Sequence, residues 1–255
     1  MSGTYYVRID IYYVRRMSII AWILALFITA AAASLQGTVG LGFAMISVPL
    51  LSLIHPSLAP VPQLLVALPL TLAVLWRERR AVDLHGFWWL IVGRIPGAFI
   101  GIGLLAVASQ RVLDVFIALV VLGAIGVIAM GVHVKRTPTS KVAAGVASGT
   151  TGVVASIGGP PVALVYSRED SDTIRSTLAA VFTFGISTSI MFRYFSDNIS
   201  WEDVHVAFVL LPAVAVGYVA SNLVTDRVSQ KHVRVTILVV SGLAAGALLV
   251  RAIAF

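Results

Sequence analysis

The chain has 255 residues, 59% hydrophobic and 11% charged, with a mean hydropathy of +0.98. That much apolar surface excludes a soluble domain and defines a polytopic membrane protein. The net charge of +7 is read as cytoplasmic loops rich in Arg and Lys, not as a nucleic-acid surface. The lack of cysteine excludes disulfides, thiolate metal sites and thiol chemistry.

In chain order, an N-terminal arm (residues 1–16) carries Arg8, Arg15 and Arg16. The apolar run behind it ends in Ala31-x-Ala33 and imitates a signal peptide. It belongs to a repeat, however, and reads as a first membrane segment. This segment, 19–54, is interrupted by Gly37, Gly40 and Gly42, with Pro49 beyond. Plainer helices are predicted at 62–76, 86–108 and 112–132. The 62–76 run is short for a span of roughly 20 residues, so it is expected to begin nearer Pro56 or to run past Arg77. A second broken segment, 142–166, holds Gly158-Gly159-Pro160-Pro161. Helices at 174–195, 204–224 and 233–253 complete an all-α chain.

The two broken segments are related. QGTVGLGFAMISVPLL (36–51) lies on SGTTGVVASIGGPPVA (148–163) at an offset of 112. Gly37 then matches Gly149, Gly40 matches Gly152 and Pro49 matches Pro161. Farther on the offset becomes 120, and Ser109-Gln110-Arg111 falls on Ser229-Gln230-Lys231. Gly93, Gly97 and Gly101 fall on Ala213, Gly217 and Ser221, two small-residue stripes suited to close helix packing. The chain is thus read as an arm and two membrane halves, 17–135 and 136–255.

Charge orients the halves. The loops at Arg77, Arg79 and Arg80, at Lys135, Arg136 and Lys141, at Arg168 and Arg175, and at Arg227, Lys231 and Arg234 are expected on the cytoplasmic side. Asp197, Glu202 and Asp203 suit the outside. Lys141 and Arg168 share a side only if 142–166 enters and leaves on one face. It is then a re-entrant hairpin, and the halves are inverted. A strict hairpin at 19–54 puts the N-terminal arginines outside; a single crossing puts them inside.

Broken backbone at membrane depth survives only where protein or water covers it. In inverted-repeat transporters such breaks form the midplane site. Half-helix N-termini there offer unpaired N–H groups to an anion. The candidate binding residues are therefore Gln36, Gly37, Thr38, Gly40, Gly42, Gly149, Thr150, Thr151, Gly152, Ser156, Gly158, Gly159 and Pro160. Arg94 joins them, since it lies eight residues into an apolar helix and an intramembrane charge is costly. Its repeat mate is Val214, so any role is asymmetric. Arg193, near a helix end, is read as snorkelling to the interface. Pro49, Pro161, Gly93, Gly97, Gly101 and Gly217 are read as structural or hinge positions. No carboxylate lies deep in an apolar segment, no HxxxH or HExxH spacing occurs, and no Walker-type loop is present. A carboxylate proton relay, an intramembrane metalloenzyme and an ATPase are all unsupported. No metal and no cofactor is expected.

The paired motifs G-xx-G-x-G…P and G-xx-G…G-G-P-P, each opening a four-segment half, resemble the sulfite exporter TauE/SafE family. The likeness runs from about residue 19 to near the end. It implies an inner-membrane transporter of sulfite, sulfoacetate or a related sulfur-containing or organic anion, without an ATPase subunit. The first segment departs from the glycine-richer family pattern at Phe43-Ala44. The leading expectation is a bacterial secondary exporter of sulfite or a similar small sulfur oxyanion, working by alternating access. Alternatives are a carrier of organosulfonates or carboxylates, a channel-like anion pore, and a non-transporting membrane scaffold or intramembrane enzyme. The expected partners are the anion, the lipid bilayer and, in a homodimer, a second copy.

Overall fold

The computed structural model describes residues 17–131, 134–167, 169–224 and 230–254. The N-terminal arm, His133, Arg168, Arg227 and Ser229 lie outside them. The described residues form ten α-helices and no strand. These are α1 (Ile19–Val39), α2 (Phe43–Ile54), α3 (Val61–Glu78), α4 (Leu84–Val107), α5 (Gln110–Ala129), α6 (Pro138–Ala155), α7 (Gly159–Val165), α8 (Ser171–Phe195), α9 (Trp201–Val224) and α10 (Gln230–Ala254). Seven helical spans are long and apolar enough to cross a membrane; α2, α6 and α7 are not among them. The short run at 62–76 is lengthened at both ends. Single 3₁₀ turns at Pro56–Leu58 and Arg79–Ala81 extend α3 into a span of 26 residues.

Polar residues sit where helices need caps. Ser18, Asp83, Ser109 and Asp170 each accept a hydrogen bond from a first-turn N–H, which satisfies a donor the helix leaves free. Thr137 and Ser140 form a reciprocal capping box ahead of α6, with Pro138 in its first turn, where a missing N–H costs nothing.

The closest packing joins α4 to α6. Gly93 faces the Val142 carbonyl, Gly97 the Val146 carbonyl, and Gly101 the Thr150 carbonyl and the Val153 side chain. A Cβ on Gly97 would lie 2.2 Å from the Val146 oxygen, so only glycine lets the backbones approach this far. Numbers rise together on both helices, so α4 and α6 run parallel. The same relation joins α9 to α1: Gly217 faces the Ala30 carbonyl, and Gly37 faces Ser221. Helix α3 runs alongside α9, with the Tyr218 hydroxyl donating to the Ala73 carbonyl and Arg77 to Asn222. Two further pairs are antiparallel. Arg175 at the head of α8 reaches Glu78 at the end of α3. Arg251 near the end of α10 pairs with Asp114 in the first turns of α5 at 2.9 Å.

Both ends of the second broken segment meet at Asp83. Arg136, just before α6, bonds Asp83 at 2.6 Å and Glu169, just past α7, at 2.5 Å. The Tyr166 hydroxyl donates to Asp83 at 2.8 Å, and Lys141 stands 3.8 Å from the same carboxylate. The chain leaves this cluster in α6 and returns to it in α7. Burial pushes the Asp83 carboxyl up, but hydrogen bonds from Gly86 N–H, Tyr166 and Arg136 outweigh it and hold the group below the ordinary carboxylate range. Burial and the neighbouring Asp83 push the Tyr166 phenol up.

Large apolar side chains cover the outside of the bundle. Phe27, Phe99, Phe208 and Leu243 are exposed, as expected of side chains that face lipid. Exposed Trp76 and Trp88 lie near one end of the spans, and Tyr194 and Trp201 near the other, matching interfacial aromatic belts.

Candidate functional site

At the first break the chain turns through Gly40 (φ 86°) and Gly42 (φ 115°). Both angles lie in the left-handed region, which side chains with a Cβ disfavour. The Gln36 side chain stays at the break: its Oε1 accepts from Phe43 N–H at 3.2 Å. Gly42 precedes α2 and offers no side-chain cap, so the first-turn N–H groups of Ala44 and Met45 have no partner inside the helix. Arg77 donates to the Gly37 carbonyl, closing the other side of the break at the end of α1.

The second break turns through Ser156 (φ 61°), whose hydroxyl donates to the Pro60 carbonyl at 3.0 Å. Here the helix start differs. Pro160 and Pro161 occupy the second and third positions of α7 and carry no N–H. They set the backbone for a helix but remove two donors that an anion would otherwise find. Arg193 donates from Nε to the Val153 carbonyl at 2.7 Å and from Nη2 to Val154 at 2.9 Å. It is only 3% exposed. Arg193 therefore does not snorkel; the open carbonyls at the end of α6 draw it inward.

Arg94 lies beside this donor-poor helix start. It is 3% exposed, and Nη1 donates to the Ser148 hydroxyl, which donates in turn to the Gly158 carbonyl. The guanidinium rests in a cradle of three glycines. A Cβ on Gly185 would lie 2.0 Å from Arg94 Cζ, one on Gly152 2.8 Å from Nη2, and one on Gly158 3.1 Å from Nη1. Arg94 Nε is buried with no hydrogen-bond partner, and among the described residues no carboxylate pairs with this cation. A guanidinium keeps its charge in a protein, so the cavity beside it holds an uncompensated positive charge.

That cavity has a volume of about 50 Å³ and is lined from both breaks and by Arg94. One water needs about 10–15 Å³ by this measure. Of the residues singled out from sequence, Gln36, Gly42, Arg94, Gly152, Ser156, Gly158, Gly159 and Pro160 line it. The others stand back. Thr38 donates to Ser34, Thr150 to Gly97 and Thr151 to Ala147, each through its hydroxyl to a backbone carbonyl. Gly37, Gly40 and Gly149 lie against Ser221, Arg175 and the Arg94 backbone respectively. Sequence reasoning missed Ser148 and Gly185, which position the guanidinium. Gly185 is the lone glycine of α8, a usable signal. It also missed the apolar wall, Leu64, Ala67, Phe182 and Ile186, which carries no signal apart from any other lipid-compatible residue.

Seven apolar spans enclosing two backbone breaks and a buried cation make this a polytopic helical membrane protein. The chain belongs to the sulfite exporter TauE/SafE family, whose profile matches residues 24–248. This is a family of membrane transporters, not of enzymes, and it points to a small anion as substrate. No individual curated protein and no solved structure matches the chain.

Proposed function

We propose that this protein is a secondary exporter of sulfite or a similarly small sulfur oxyanion in a bacterial inner membrane. The observation that carries the reading is Arg94, an unpaired buried cation facing a cavity to which both backbone breaks contribute. The anion lies between Arg94 on the α7 side and the open first turn of α2 on the other. The two sides complement each other: α2 offers backbone N–H groups, and where Pro160 and Pro161 withhold them, Arg94 takes their place. This also accounts for why the repeat mate of Arg94 is the neutral Val214. A cavity of about 50 Å³ suits a four-atom oxyanion better than a longer organosulfonate.

The transport cycle is alternating access between two inverted halves, 17–135 and 136–255. Matched elements with opposed directions support this. Helix α1 runs with α9 and α3, whereas α6 runs with α4; α3 opposes α8, and α5 opposes α10. The convergence of Arg136, Tyr166 and Glu169 supports a re-entrant α6–α7 hairpin. An inside-negative potential drives anion exit by roughly 2.3 kcal/mol per charge per 100 mV. The test is sulfite flux in proteoliposomes made with purified protein. Saturable flux that Arg94→Gln abolishes is the expected result; flux linear in sulfite, or unchanged in the variant, defeats the proposal.

A further inference from the structure

We infer that the site selects its substrate by charge as well as by size, and takes monoanions in preference to dianions. This rests on the anion-site reading above and adds to it which ionic form is carried. Among the residues lining the cavity, Arg94 is the one formal charge. The other contributions are dipolar: the first turn of α2 and the amide of Gln36, whose Oε1 is already committed to Phe43. The remaining wall is apolar.

The charged groups on the surrounding helices are occupied elsewhere. On α6, Lys141 faces Asp83, as does Arg136 just before the helix. On α8, Arg175 pairs with Glu78 and Asp172, and Arg193 is bound to the carbonyls of Val153 and Val154. On α4, His85 contacts Trp89. At the end of α3, Arg77 bonds Glu78 and the Gly37 carbonyl. At the end of α2, His55 contacts Ser57. None of them reaches the cavity, so none is available to balance a second negative charge there.

A buried charge is tolerated when it is paired and costly when it is not. One negative charge neutralises Arg94 and removes the cost that cation carries while the cavity is empty. A second would enter a medium of low dielectric with only partial dipoles to meet it. For sulfite, whose second proton is lost in the neutral range, the bound form is then bisulfite. Each turnover carries one negative charge and one proton on the substrate, and the proton is released into the receiving compartment. This gives proton movement without a protein carboxylate at depth.

The test compares three probes on the full-length protein in detergent and in proteoliposomes. Methanesulfonate and sulfate have the same number of heavy atoms and differ in charge, and sulfite changes charge with pH. Expected is methanesulfonate affinity that stays level across the neutral range and exceeds sulfate affinity by about tenfold or more. Sulfite affinity should fall by roughly tenfold per pH unit above its second ionisation, as linkage requires of a protonated ligand. Arg94→Lys should keep the order of the three anions, since it keeps a single charge. Sulfate binding as tightly as methanesulfonate, or sulfite affinity that is flat or rising with pH, overturns the charge rule while leaving an anion site. Failure of all three probes to bind overturns the anion site itself and the charge rule with it.

Discussion

At the scale of single residues, the site depends on the hold that small neighbours keep on one long side chain. Gly185 has no room for a Cβ while Arg94 keeps its place. Gly185→Ala is expected to displace the guanidinium and weaken anion binding by tenfold or more, with the protein still folded. Ligand-induced thermal stabilisation in detergent measures this. Ser148→Ala removes the oxygen that receives Arg94 Nη1 and orphans the Gly158 carbonyl. A lost hydrogen bond to a charged group costs about 1.5–3 kcal/mol, so a stability loss of that order is expected from chemical or thermal unfolding.

At the scale of elements, the breaks persist because arginines close the helix ends they expose. Arg77 takes the Gly37 carbonyl at the end of α1 and Arg193 takes Val153 and Val154 at the end of α6; away from the breaks, Arg251 takes Ser52 and Leu53 at the end of α2 in the same way. Three helix C-termini are thus met by cations, which also suit their dipoles. Arg193→Gln leaves two buried carbonyls short of a donor, and an unsatisfied buried group costs about 1–3 kcal/mol. A drop of at least about 2 kcal/mol is expected on that scale, read as a lowered unfolding temperature. Arg193→Lys should recover part of it. The breaks themselves were legible in the sequence, because Gly and Pro contradict an apolar helix wherever they cluster. The arginines that close them were not, because pairing a side chain with a carbonyl 40 residues away depends on how the helices pack.

At the scale of the whole molecule, the Asp83 cluster ties the α3–α4 corner to both ends of the α6–α7 segment. Its folded carboxyl is lowered relative to the ordinary value of 3.8. The stabilisation is therefore complete above that value and is lost as pH falls through the lowered folded one. Asp83→Asn should be less stable than the natural protein at neutral pH, and the two unfolding temperatures should converge at acid pH. Because the chain has no cysteine, side assignment is directly testable. Arg80→Cys and Arg136→Cys should react with an impermeant thiol reagent from one side of the membrane, and Ser200→Cys from the other. Labelling of Arg136→Cys and Ser200→Cys from the same side would break the hairpin topology, since α6, α7 and α8 lie between them.

What the sequence determined by itself was anything that follows from local composition or from self-similarity. Apolar runs set the spans, arginine-rich loops marked one face, and the 112-residue offset between the broken segments paired Gly37–Pro49 with Gly149–Pro161. Tertiary structure decided which of the candidates stand together. Thr38, Thr150 and Thr151 look as polar in sequence as Ser156, and all four donate a hydroxyl to a backbone carbonyl, yet of these only Ser156 lines the cavity. Arg94 and Arg193 are equally buried, but one is left with an unpaired nitrogen and the other is engaged with carbonyls. The physical reason is that burial raises the demand for partners without saying where they are. Only the packing of α4 on α6 and α8 determines which buried arginine still lacks one.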